Sequence, residues 1–190
     1  MRIFVALAVA LTASAALAES RTYEIRKGGK SVAEFHAEDS YDSFDGKTNA
    51  VSGTIVADPA NPSAATVNVS IDLTSLDTGV ALRNREMGEL YLESDKFPST
   101  TFKSVSVEAA QSIEANQPVE IKVTGDFTLH GVTKRLTLPV RVVLIPDGRI
   151  HATSIFRVKL PDFDIHVPQN ILVTVEDKVP VRLDIWATAK

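Results

Sequence analysis

Thr124-Gly125-Asp126-Phe127-Thr128-Leu129-His130-Gly131-Val132-Thr133-Lys134 decides the reading of this chain. Two alternating apolar runs meet in it at His130-Gly131, a dipeptide suited to a tight two-residue turn, so the stretch reads as a β-hairpin. The rule extends outward in both directions. Val119, Ile121, Val123, Phe127 and Leu129 share one face, with Glu120, Lys122, Thr124, Asp126 and Thr128 on the other. Leu136, Leu138, Val140, Val142 and Leu144 continue it downstream; Val67, Val69, Ile71 and Leu73 repeat it upstream, and Val179, Val181, Leu183 and Ile185 near the C-terminus. Weaker strands read at 23–26, 32–36, 48–57, 100–107 and 150–159. One apolar and one wet face per strand implies antiparallel pairing.

The punctuation agrees. Gly28-Gly29, Asp45-Gly46, the 58–63 run of Asp, Pro and Ser, His130-Gly131 and Pro146-Asp147-Gly148 read as turns between strands. Pro139 and Pro180 fall inside strand runs, where each removes a ladder donor, so an edge, bulge or corner is expected at both. One helical excursion is expected at about 80–92, where Val80, Asn84, Met87 and Tyr91 recur at helical spacing. Gly88 weakens it by about 1 kcal/mol relative to alanine. With no repeat and no linker, residues 19–190 read as one domain.

Residues 1–18 read as a cleaved export signal: Arg2, an apolar core, then Ala16-Leu17-Ala18 as the small-x-small site. The apolar core is short for a spanning helix. The chain has no Cys, which removes the usual lipid attachment of exported lipoproteins. A soluble, unlipidated periplasmic protein is expected. A domain of this length buries enough surface to fold without disulfides. With 20 basic against 24 acidic side chains and a net charge of −4, no basic stripe marks a nucleic-acid or anionic-membrane partner.

Four segments, in order, resemble the YceI-like family of exported polyisoprenoid- or lipid-binding barrels. They are Ile71-Asp72-Leu73-Thr74-Ser75-Leu76-Asp77-Thr78-Gly79, Leu82-Arg83-Asn84-Arg85-Glu86-Met87, Phe97-Pro98-Ser99-Thr100-Thr101-Phe102-Lys103-Ser104, and Val123 through Lys134. The resemblance implies an all-β, lipocalin-like, eight-stranded antiparallel barrel with a short helical excursion around an apolar channel. Alternation by itself fits a two-sheet sandwich equally. Asn84 stands where the family often has an acidic residue, and Tyr91-Leu92 where it often has a Phe pair. The first strands and the 156–168 segment follow the family pattern poorly.

The functional expectation is a binding protein that sequesters or carries a long apolar lipid, a polyisoprenoid or quinone-type molecule, with no cofactor and no chemistry. The channel-lining candidates are Phe35, Val67, Val69, Ile71, Phe102, Val123, Phe127, Leu129, Leu136, Leu138, Val140, Phe156, Leu183 and Ile185; one slip of register inverts any strand among them. The alternative is a ligand-free periplasmic module whose packed core supports a surface that docks an envelope partner. Transient contact with a membrane or membrane protein suits both readings, and the oligomeric state stays open, a homodimer included. His36, His130, His151 and His166 are dispersed and without Cys, so no metal site is expected. There is no Gly-x-Ser-x-Gly elbow, and Asp162 with Asp164 sits among strand breakers, so no catalytic residue is assigned. The single tryptophan, Trp186, is expected to pack structurally, against the helix, rather than to mark an exposed docking surface.

Overall fold

The computed structural model describes residues 20–38, 43–166 and 176–190; the expected export signal at 1–18 lies outside them. Among these residues, ten strands and one α-helix follow in chain order: β1 (Arg21–Ile25), β2 (Val32–Glu38), β3 (Ser43–Thr48), β4 (Val51–Ala57), β5 (Thr66–Asp72), α1 (Ala81–Glu86), β6 (Ser99–Glu108), β7 (Pro118–Leu129), β8 (Val132–Leu144), β9 (Ile150–Lys159) and β10 (Lys178–Ala189). They form one antiparallel sheet, ordered β1-β4-β5-β6-β7-β8-β9-β10-β2-β3, and β1 also pairs with β10. That last pairing closes the sheet.

The ring has eight walls because two of them are broken. Both β1 and β2 pair with β10, through Tyr23↔Ala189 and Phe35↔Val181. Their partners, β4 and β3, are likewise successive pieces of one wall. The expected eight-stranded antiparallel barrel is therefore what the chain forms; β3, last in the order, pairs with β2 and carries on its other side the single bridge Lys47↔Asp77.

The β7–β8 hairpin is paired from Pro118↔Val143 to Leu129↔Val132. His130 and Gly131 have φ of 49° and 75°, the left-handed pair that a type I′ turn needs to match strand twist. Asp45-Gly46, expected as a turn, instead lies within β3, where Gly46 faces Phe35 across the ladder. A Cβ at Gly46 would stand 2.2 Å from Phe35 Cε1. The glycine there accommodates a ring, which a sequence reading mistakes for turn chemistry.

Both strand prolines mark the end of a ladder. β8 pairs with β9 only from Val140↔Ser154 onward, immediately after Pro139. β10 pairs with β2 only from Val181↔Phe35, immediately after Pro180. Each ring nitrogen thus lies where no partner carbonyl requires a donor. The Pro139 carbonyl accepts from Ser154 Oγ at 2.7 Å.

The helical excursion connects β5 to β6. α1 runs into a π-helical turn at Met87–Tyr91, so the expected 80–92 stretch is helical over 81–91. Leu73 N donates to Pro98 O at 2.9 Å, pinning the two ends of the excursion together, and Lys47 and Asp77 exchange backbone hydrogen bonds that dock it on β3. Trp186 packs on the outer wall, stacked on its cross-strand partner His151 with centroids 4.1 Å apart. Two buried clusters occupy the interior wall, one around Val51, Val142 and Ile185 and one around Phe127, Phe163 and Ile165.

Candidate functional site: two apolar chambers

Among the described residues, the barrel interior holds two apolar cavities, and no residue lines both. One, of about 110 Å³, lies at the end carrying the β4–β5 and β8–β9 turns. The other, of about 240 Å³, lies beneath the helical excursion.

The turn-end chamber is built by inward positions of alternating strands. Ile55 and Ala57 come from β4, Val67 and Val69 from β5, Phe102 and Val107 from β6, and Ile121 and Val123 from β7. Leu138, Val140, Val142 and Leu144 of β8, Ala152 of β9, and Leu183 and Ile185 of β10 complete the wall. Two of its polar side chains are engaged: Ser154 Oγ donates to Pro139 O, and Asp58 Oδ1 accepts from Ala60 N at 2.9 Å.

The helix-end chamber uses the same parity further along the strands, with Phe35 and Ala37, Phe44, Phe127 and Leu129, Val158, and Val179 and Val181. Its roof is Leu73, Leu76, Met87, Tyr91 and Leu92, and here a side chain of each charge, Arg83 and Glu86, borders the apolar space. Arg83 lies over the Phe44 ring at 4.0 Å from its centroid. It donates from Nε to Thr78 Oγ1 and from Nη2 to Thr78 O, both at 3.0 Å. Asn84 fixes the same corner: Oδ1 accepts from Thr78 N and Oγ1 at 2.8 and 2.6 Å, and Nδ2 donates to Asp77 Oδ1 at 2.7 Å. That bond, followed by Gly79 N–H, holds the Asp77 carboxyl below its ordinary range.

A second clasp joins the excursion to the far side. His130 meets Phe163 O through Nδ1 at 3.1 Å and Glu93 Oε2 through Nε2 at 3.0 Å. Phe97 packs edge-on against its ring, with centroids 4.5 Å apart. Lys96 and then His130 lower the Glu93 pKa. His130 is therefore a structural tie as well as a turn residue.

Of the candidate lining residues, Phe35, Phe127 and Leu129 face the helix-end chamber; Val67, Val69, Phe102, Val123, Leu138, Val140, Leu183 and Ile185 face the turn-end chamber. Ile71 packs into the buried cluster around Val51, and Leu136 and Phe156 into the cluster around Phe127; none of the three lines either space. Strand parity could have supplied Val158, Val179 and Val181. The roof residues carry no such signal, because the excursion's inward face depends on where its ends are pinned. Among the described residues no three His, Asp or Glu side chains converge to hold an ion, and no helix is long and apolar enough to cross a membrane.

A family model described as a YceI-like domain matches residues 23–187. Protein YceI of Shigella flexneri is 36% identical over 119 residues, 60% of this chain and 59% of that protein; the chain thus spans about three-fifths of the length of the curated relatives it matches. Protein YceI of Salmonella arizonae is 36% identical over the same extent. Among solved structures, Burkholderia cenocepacia BcnA has a TM-score of 0.74 at 20% identity, covering 86% of this chain and 99% of its own. A polyisoprenoid binding domain from Saccharophagus degradans, implicated in plant cell wall breakdown, has a TM-score of 0.72 at 17% identity, covering 90% and 100%. At these identities the two structures show a shared fold.

Proposed function

The chain belongs to the YceI-like domain family, and from that premise we propose that it holds a long apolar lipid, a polyisoprenoid or quinone-type molecule, inside its barrel. The observation that carries the reading is the interior itself: both chambers are walled mainly by hydrocarbon side chains, with few polar ones among them. A polyisoprenoid is named because the Saccharophagus degradans domain with this fold is described as binding one.

The mechanism is burial without chemistry. Each methylene taken out of water contributes about 0.8 kcal/mol, so a chain filling the barrel is held without specific polar contacts. A tail drawn from a bilayer gains almost none of that, since it was already dry. The protein therefore shields and exchanges lipid, and net extraction needs head-group contacts, for which Arg83 and Glu86 stand at the rim. The chain acts as an exported, periplasmic, non-enzymatic carrier.

Lipid is to be extracted into organic solvent from protein purified without detergent out of its native compartment, and weighed by mass spectrometry. Near-stoichiometric recovery of an isoprenoid supports the carrier. A clean protein that also refuses added lipid leaves the alternative, a docking module; Val80, Leu82 and Leu90, all exposed on the excursion, give that reading its surface.

A further inference from the structure

We propose that Phe102 is the stop that sets how long a hydrocarbon chain the helix-end chamber accepts, with Phe127 and Phe156 completing an aromatic waist between the two chambers. The proposal rests on the lipid-binding reading above.

Strand β7 shows where the division falls. Its inward side chains run Val123, Gly125, Phe127; Val123 lines the turn-end chamber and Phe127 the helix-end chamber. At the level between them β7 has no side chain, and the ring of Phe102 from β6 occupies the place. A Cβ at Gly125 would stand 2.5 Å from Phe102 Cζ and 2.9 Å from Cε2. A ring can lie there only because residue 125 is glycine, the pairing by which an aromatic covers a glycine on the neighbouring strand.

The opposing wall is aromatic at the same level. On β9, Ser154 lines the turn-end chamber and Val158 the helix-end chamber, and the inward residue between them is Phe156. It meets Phe127 edge-on, with centroids 6.1 Å apart at 81°. Phe163 braces Phe127 at 5.4 Å and 86°, and Phe102 is Phe127's direct cross-strand partner. Edge-to-face contacts fix ring orientation, so a chain entering beneath the excursion meets a braced floor. The turn-end chamber is then a second apolar compartment, reached only when Phe102 leaves Gly125.

The test is a length series: geraniol, farnesol, geranylgeraniol and solanesol, delivered from cyclodextrin to wild type, Phe102→Ala and Phe102→Leu. Thermal melting is followed alongside, and the leucine variant keeps most of the packing should the alanine variant unfold. Wild-type affinity, corrected for the cyclodextrin complex to free prenol in water, is expected to rise about fourfold for each added carbon that finds wall, then to level once the chain reaches the waist. In the variants the levelling shifts to longer chains, with Phe102→Leu between the other two proteins. The longest prenol gains at least tenfold relative to geraniol. Identical length profiles in all three proteins would overturn the stop but leave lipid binding standing. If no prenol of any length binds any of the three, the lipid-binding reading falls and the stop falls with it.

Discussion

The two chambers follow one alternation rule and differ in what closes them. At the turn end, strand turns close the barrel and the lining carries no charged rim beyond Asp58. At the helix end, residues between β5 and β6 leave the sheet, form a roof and bring Arg83 and Glu86 to the border of the larger space. The roof is tied to the wall by polar contacts: Asn84 to Asp77 and Thr78, and His130 to Glu93 and Phe163. Strands make the walls, and an insertion between strands makes the roof of the larger chamber. The proposed lipid entry thus lies at the end where the pattern breaks.

The hardest challenge to this comparison is a charge in either chamber. Phe127→Asp and Leu138→Asp each bury a carboxylate without a partner, at 7% and 5% exposure respectively, and should cost more than about 3 kcal/mol. Thermal melting and lipid recovery check both; unchanged stability and ligand content would mean the inward register is wrong. His130→Ala separates the ends. It removes both ties of the clasp and should cost about 1–3 kcal/mol. Its distinguishing effect is faster hydrogen exchange over 87–97 and 160–163, with the turn-end strands β4 and β5 unchanged.

The barrel walls were legible because alternation over β7, β8 and β10 is long and because His130-Gly131 suits only a tight turn. The breaks were harder. Gly46 looked like a turn because its reason for being glycine, the ring of Phe35, comes from another strand. Gly125 hides a similar reason, so the waist could not be read from β7 alone. Ile71, Leu136 and Phe156 have the right parity without lining either space, because parity gives the face of a strand and says nothing of the level along the barrel. The roof was visible as a helix, while Arg83 and Glu86 became site residues only once Leu73 and Pro98 fixed how it lies.

Smaller effects sharpen the contrast further. Asn84→Asp keeps the acceptor for Thr78 but loses the donor to Asp77 and sets two carboxylates together. Exchange should quicken across 81–91 while the global melting temperature changes little; equal protection in both proteins would show that Asn84 is not the anchor. Titration of the helix end should show two opposite signs. Hydrogen bonds to Asp45 and then Glu38 raise the His36 pKa above 6.5, so its contribution is complete below about 6.5 and lost as pH rises through the folded value. The lowered Glu93 pKa gives stability present above about 4.5 and lost as pH falls through the folded value. Proton NMR of the His36 ring checks the first; a midpoint at or below 6.5 would remove that tie.

The most direct test of the container itself is methyl NMR of the protein titrated with farnesol. Shifts should fall on inward methyls of the helix-end chamber, Leu73, Leu92, Leu129, Val158, Val179 and Val181. Shifts confined to the outward Val80, Leu82, Leu90, Val105 and Ile155 would contradict it, placing the ligand on the surface and leaving the barrel a packed scaffold.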